Sequence, residues 1–425
     1  MYCIIPIFKE PFLHPLHKDN GLSALWCKEI SKKEPMFIIE QHPDSDKMME
    51  DYYWLNDYTI LTPDKKLLNH FYKFDTVVDM NYLHWLNTSK PFENNIRNNA
   101  IDFLSNKFYN VKKLNEIIPL SKHNEYCSDV FDKINIPYEA GHPLDYYMND
   151  FTEAFWSVEK NGVKVSNDVC DIFDERVRKH ISNGKLYSNY NLWTTTGRPS
   201  NSFGSVNFAA LPPEKRKAIV AENDYLVEMD YDAYHLRIIS QLVKYDFGKD
   251  SVHEHLAKHY ECSYEESKQR SFQLLYGGID KKTREKVPFF DLTHKFINNK
   301  WNEINQNKYI LTDIYRRIIL LENYDDLNKN KLFNYLIQAI ETELNVKKIL
   351  LIQDYLLNKK TKLVLYGYDS FLFDFSKQDG VETLKEIKRI LEVKTDVPGD
   401  TEPYFYTKSK MGLNYGEMQD ITERL

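Results

Sequence analysis

The chain has 425 residues, 42% of them apolar and 28% charged, with a formal net charge of −7 and a pI near 6.0. That length predicts two or three domains with a sizeable core, and the composition excludes global disorder. The acidic total excludes a uniformly basic nucleic-acid binder and leaves room for a local basic groove only.

Cys3, Cys27, Cys127, Cys170 and Cys262 show no C-x-x-C spacing, so neither a zinc site nor a disulfide framework is expected. The opening residues, MYCIIPIFKEPF, lack the basic and apolar stretches of a secretory leader, and no apolar run has transmembrane length. The expectation is a soluble, cytoplasmic protein with no membrane partner.

Residues 1–150 read as a mixed α/β region. Met36–Ile39 and Thr76–Val78 have strand character; Lys65–Tyr72 and Asn98–Phe108 have helical periodicity. Two prolines and a glycine make Asn135–Pro143 a domain boundary. A helix from Phe151 stops at Asn161-Gly162. Val163–Asp168 is a short strand or turn, a helix runs on to about Ile181, and Tyr190–Leu211 is irregular. Then come a strand at Tyr225–Met229, a helix at Ala233–Val243 and mostly helical sequence over 251–331. Leu332–Leu357 predicts a long amphipathic helix, Lys362–Phe375 two strands about a tight turn, and Val381–Leu391 a final helix.

Four patterns carry chemistry. Leu226–Asp230 is an apolar strand ending in a carboxylate just before a helix, which sets Asp230 at a strand's carboxyl end; helix capping is the plainer use of Asp230 or Asp232. In Leu363–Phe373, Asp369 stands at the bend of a hairpin, where aspartate is common for local reasons. Two such carboxylates on neighbouring strands would hold two divalent ions for in-line phosphoryl transfer, and oxygen ligands favour Mg²⁺. Lys268, Phe272 and Tyr276, spaced by four, share a helix face and set a cation beside two aromatic rings; a snorkelling lysine on an amphipathic helix is the plainer alternative. Thr194–Ser200, followed by Asn207–Pro212, is a polar loop with one arginine, of the kind that contacts phosphates and sugars.

In this order, the patterns resemble family A DNA polymerases, the group of bacterial polymerase I and many phage replicases. The resemblance runs from Phe151 to the C-terminus. It rests on Asp230-Tyr231 with Leu236-Arg237, on Lys268, Phe272 and Tyr276-Gly277, on Tyr368-Asp369-Ser370, and on Thr196-Gly197-Arg198. His253 with Ala257, Asn334 with Gln338, Glu159 with Gly162-Val163, and Gly412–Tyr415 add to it. The resemblance implies an α+β, α/β multidomain fold of the polymerase right-hand type. An N-terminal exonuclease-like domain would span residues 1–150. The palm would take 151–240 and 334–425 and the fingers 241–333. It implies a DNA polymerase that adds dNTPs to a primer on template DNA, with two Mg²⁺ ions held by Asp230, Asp369 and the carbonyl of Tyr231. Nucleotide contacts fall to Lys268, Phe272, Tyr276, His235, His253 and Arg270. Contacts to DNA fall to Thr196, Arg198, Asn207, Arg237, Asn334, Gln338 and Tyr368.

The chain departs from that family at several points. His235 stands where the family has a glutamate beside the sugar, which implies altered choice between deoxy- and ribonucleotides. Tyr264 replaces an arginine one turn before the lysine, with Arg270 near it in sequence. Ser370 replaces a glutamate. About thirty residues separate Val163 from Thr196, too few for a thumb whose helices average roughly 10–14 residues each, so any thumb is reduced to about 164–190. That implies low processivity and a processivity or replisome protein partner, as in a phage. The N-terminal region shows no Asp-x-Glu; its acidic candidates are Glu40, Asp44, Asp46, Asp75 and Asp150 with Tyr146, and an inactive nuclease is expected. Two other readings stand: a polymerase-like scaffold without activity, and a primer- or RNA-synthesising relative.

Overall fold

Strand β1 (Tyr2–Phe8) is apolar at all seven positions and buried at all seven. In the computed structural model, which describes residues 1–425 apart from 11–12, 46–50, 91–117, 135–144, 168–171, 202–205, 249–250 and 395–402, it is the middle of a five-stranded sheet. It pairs antiparallel with β2 (Leu22–Glu29), and β2 pairs with β3 (Met36–Ile39). On its other side it runs parallel to β4 (Ile60–Thr62), and β4 parallel to β5 (Val77–Asp79). Pro6 has no N–H to give. The Tyr2 N–H points to the β4 side, donating to the Thr59 carbonyl, and alternation puts the ring of Pro6 on that side too. There β4 reaches only Tyr2 and Cys3, so no ladder bond is lost. The expected strands Met36–Ile39 and Thr76–Val78 lie in this sheet. The expected helix Asn98–Phe108 and the boundary at Asn135–Pro143 lie outside the described residues.

The second sheet is antiparallel throughout. Its strands are β6 (Val163–Val165), β7 (Lys185–Leu186), β10 (Ile219–Val220), β11 (Tyr225–Tyr231), β14 (Lys362–Tyr366), β15 (Ser370–Phe375), β16 (Thr407–Asn414) and β17 (Glu417–Asp420). They follow the order β14-β15-β11-β16-β10-β6-β7, with β17 beside β16. Two small pairs stand apart, β8 (Tyr190–Asn191) with β9 (Ser200–Asn201) and β12 (Tyr309–Leu311) with β13 (Ile318–Leu320). Between β6 and β8 the described residues hold one four-residue helix, Glu175–Arg178, and β7, with no long helical arm among them. Among the described residues, no helix is long and apolar enough to cross a membrane.

The helix Lys329–Leu356 behaves differently from the expected amphipathic one. Every residue from Ala339 to Val346 is buried, because helices close round it on several sides, including Asp145–Glu159, Tyr234–Leu242, Pro288–Asn307 and Val381–Glu392. Three of its buried polar side chains find partners, as burial favours. Asn345 accepts from the Tyr234 hydroxyl at 2.8 Å and donates to the Tyr366 hydroxyl at 3.0 Å and the Tyr368 carbonyl at 2.7 Å. Lys348 donates to the Leu391 carbonyl and lies 4.4 Å from the Phe405 ring centre. Glu343 accepts from Thr312 Oγ1 at 2.7 Å and from the Tyr315 N–H at 3.1 Å.

One apolar core joins the two sheets. Its seam is aromatic: Tyr82 and Trp85 of the helix Met80–Thr88 meet Trp193 at 4.9 and 5.5 Å, and Tyr147 stacks on Phe151 at 4.0 Å.

Burial pushes the Glu343 carboxyl up to about 7 from an ordinary 4.5. The fold then keeps a proton that the unfolded chain releases above 4.5, so this stabilising term is complete below pH 4.5 and is lost as pH rises to about 7. Glu343→Gln should remove that loss. Between pH 4.5 and 7.5 wild type should lose roughly 3 kcal/mol more unfolding free energy than the variant. Urea denaturation at both pH values measures it, and parallel losses in the two proteins would refute the assignment.

Candidate active site

Register does most of the work of assembling this site. Strand β11 is flanked by β15 and β16, with Asp230 opposite Ser370 on one side and Lys408 on the other. Val227 and Met229 are fully buried on the opposite face, which turns Glu228 and Asp230 the other way, and Asp230 lines a cleft of about 660 Å³. The β14–β15 turn carries Asp369. Tyr368 there has a left-handed φ of +73°, and a Cβ on Gly367 would meet Ser370 Oγ at 2.6 Å. The Tyr231 N–H donates to the Asp369 carbonyl at 2.9 Å, so the turn is tied to the end of β11. Neither Asp230 nor Asp232 caps the following helix: its first cap is Ala233, at φ +53° with no side-chain bond, a backbone cost of about 1–2 kcal/mol borne beside the cleft.

The cleft wall opposite is the helix Tyr264–Gly277, started by a Ser263/Glu266 capping box. Tyr264, Lys268, Phe272 and Tyr276 form one row along it, and all four line the cleft, with Phe272 44% exposed. The Phe272 and Tyr276 rings are near parallel, 6.2 Å apart. His253 lines the cleft with its ring edge-on to Tyr264 at 5.6 Å. Asn334 and Gln338, joined side chain to side chain at 2.9 Å, line the floor.

Between floor and wall lies a buried carboxylate, Glu341. Its Oε2 is 2.9 Å from Arg198 Nε and 3.2 Å from His235 Nε2, and Arg198 also donates to its Oε1 at 3.2 Å. Burial raises the Glu341 carboxyl, but His235 and Arg198 outweigh it and hold the group below its ordinary range. His235 Nδ1 hydrogen-bonds the Tyr276 hydroxyl, and the Arg198 guanidinium sits 4.0 Å from the Tyr368 ring centre. At the strand end of the cleft, loss of water, then Asp369 and Glu228, push Asp230 up to about 7, with Lys410 and Lys268 opposing. Loss of water and then Glu341 raise Asp369. Carboxylates crowded this way favour protons unless a cation neutralises them, and a set of hard oxygen donors fits Mg²⁺.

Several expected residues sit elsewhere. Arg270, two residues from Lys268, points across the helix and lies 4.5 Å from the Tyr260 ring centre. Arg237 is buried, donating to the Gly248 carbonyl at 3.3 Å and lying over the Tyr406 ring at 4.3 Å. Asn207 caps a short turn, accepting from the Ala210 N–H. Thr196 gives its carbonyl to Arg317 at 3.0 Å, and Arg317 stacks on Trp85. The sequence reading missed Lys408 and Lys410, both of which line the cleft, and Glu341. Glu341 was within reach, being seven residues after Asn334 and three after Gln338 on one helix face.

Among the described residues, the acidic candidates of the N-terminal region form no metal-like group. Asp44 accepts from the Leu120 N–H, Asp150 from the Tyr315 hydroxyl, and Tyr146 donates to the Tyr315 carbonyl; Asp46 lies outside the described residues. The metal-like group among the described residues is His14, His70 and Glu159. Glu159 already accepts from Lys66 at 2.7 and 2.9 Å, and His14 Nδ1 already accepts from the Leu16 N–H.

No protein-family model matches the chain, and no curated protein does. Among solved structures it is similar to the POL domain of Pol1 from M. smegmatis in complex with DNA primer-template and dNTP. The TM-score is 0.66 at 12% identity, over 98% of this chain and 96% of that one. The likeness thus takes in the N-terminal sheet as well as the second sheet. At this identity it is a likeness of fold, and the chain has a polymerase-like fold.

Removing Glu341 would leave Arg198 and His235 facing each other without a counter-charge. Glu341→Ala should lower unfolding free energy by about 3 kcal/mol, read by urea denaturation; a change within error would mean the network contributes nothing to stability.

Proposed function

We propose that the chain is a template-directed DNA polymerase of the family A type, extending a primer with dNTPs. The observation that carries this is convergence. Asp230 and Asp369, the row Lys268, Phe272 and Tyr276, and the pair Asn334 and Gln338 come from distant parts of the sequence and line one cleft. The second sheet and the Lys329–Leu356 helix from Asn334 onward are then the palm, and residues 241–333 the fingers.

Asp230, Asp369 and the Tyr231 carbonyl would hold two Mg²⁺, which supply charge neutralisation for the 3′-hydroxyl and the triphosphate. Lys268 brings its ammonium to the same phosphates. Phe272 offers its exposed ring face to the incoming base. Asn334 and Gln338 present amide groups to the minor-groove edges of the newest pair, which every correct pair can satisfy. Arg198 has donors committed to Glu341 and its face to Tyr368, so its part is to hold the turn bearing Asp369. His235 links Glu341 to Tyr276 and so couples the fingers helix to the palm. Opening of that helix must break the His235–Tyr276 bond, a natural checkpoint for closure over a nascent pair.

The N-terminal sheet is read as an exonuclease-like domain without nuclease activity, since β1 carries no carboxylate at all. The short 164–190 segment and the acidic net charge support weak grip on duplex DNA, a protein partner that supplies processivity, and a phage replicative role.

Primer extension on a labelled primer–template with Mg²⁺ and dNTPs tests the reading. Wild type should extend in short runs, and Asp230→Ala and Asp369→Ala should each lose at least about 10³-fold in rate. Wild type that leaves the primer untouched at high enzyme and low salt would move the reading to a polymerase-shaped DNA-binding scaffold.

A further inference from the structure

Where the helix row begins, the cleft has an aromatic ring, Tyr264, with no cation of its own. The nearest arginine in sequence, Arg270, is turned to the other side of the helix and stacked on Tyr260. A cation nevertheless stands there, supplied by another element. Lys408 Nζ is 5.8 Å from the centre of the Tyr264 ring, and Lys408 lines the cleft.

We propose that Lys408, on the strand beside Asp230, is a binding residue for the triphosphate of the incoming nucleotide, the second ammonium of a pair with Lys268. The assignment rests on the polymerase reading of the cleft.

Three observations carry it. First, Lys408 is in register with Asp230 across the β11–β16 ladder, and Lys410 with Glu228. Directly opposed residues share a sheet face, so both lysines are set on the face that carries Asp230. Second, Lys408 Nζ is anchored 2.8 Å from Asp232 Oδ1. The aspartate side chain is only 10% exposed and the lysine 52%. The carboxylate is the buried anchor and the ammonium the open end. An ammonium has three donors; Asp232 takes one and the Tyr264 hydroxyl is a second partner, which leaves one for another anion. Third, the chemistry of the surroundings suits a polyphosphate. Lys268, Lys408 and Lys410 line the same cleft as Asp230 and Asp369. Two lysines approaching from a helix and from a strand can clasp a flexible chain of phosphates from two sides, which neither could do alone.

The plainer alternative is that Lys408 serves only to neutralise Asp232. The two roles separate experimentally. In single-nucleotide extension, Lys408→Ala should raise KM for dNTP by about tenfold or more with a smaller change in kcat. Its affinity for inorganic tripolyphosphate with Mg²⁺, titrated by calorimetry without turnover, should fall by a similar factor. Affinity for primer–template, followed by fluorescence anisotropy, should stay within about twofold, and Lys408→Arg should keep KM within about threefold. Unchanged KM and tripolyphosphate affinity in Lys408→Ala would overturn the assignment. So would a parallel loss of primer–template affinity, because that reports a collapsed cleft. If wild type extends no primer yet Lys408→Ala still loses tripolyphosphate affinity, the polymerase reading fails and the anion site stands.

Discussion

The site depends on the register of β11 between two strands that follow it by more than a hundred residues. A strand has a period of two, so a slip of one residue would send Asp230 into the core and Met229 into the cleft. The slip is blocked from below, where Val227 and Met229 are fully buried, and from beyond its end, where Tyr231 N–H holds the Asp369 carbonyl. Every other feature of the cleft is placed relative to this ladder. The lysines of β16 stand opposite its carboxylates, the β14–β15 turn closes over its tip, and the Tyr234–Leu242 helix leaves it through a strained alanine.

Behind the ladder, the Lys329–Leu356 helix takes an unusual burden. Buried carboxylates are normally poor stabilisers, since desolvation consumes most of the Coulomb gain. Glu341 and Glu343 lie two apart on this helix and are handled in opposite ways. Glu341 has two basic partners and is held ionised. Glu343 has a hydroxyl and a backbone N–H, neither of which compensates a full charge, and burial favours its protonated form. The first faces the cleft and the second the core. A helix so committed on all sides has little freedom to shift, so it makes a fixed floor to the cleft.

Legibility in the sequence followed distance. Lys268, Phe272 and Tyr276 could be placed on one face because a helix reports its own geometry over four residues. Asp230 and Asp369 could be placed at strand ends because each strand is bounded by local signals. Arg270 was misplaced by proximity in sequence: two residues is about 200° round a helix, the wrong side. Arg237 is expected at DNA, but it is buried under the Tyr406 ring, some 170 residues away in sequence. Lys408 and Lys410 alternate as strand neighbours should, yet nothing local says which strand lies beside them. β1 escaped notice because a fully buried strand has no alternation to read.

The seam between the two sheets gives the N-terminal region a structural part in the cleft. Trp85 donates its indole N–H to the Thr194 carbonyl at 2.6 Å and carries Arg317 on its ring, and Arg317 in turn holds the Thr195 and Thr196 carbonyls. Two residues further on is Arg198, in the cleft. The N-terminal sheet thus acts as a buttress, bracing the loop that leads to Arg198 and, through it, the turn bearing Asp369. Its side chains are constrained wherever they meet that loop. Trimming the chain to its second sheet would leave a cluster of bare aromatic rings and an unsupported Arg317.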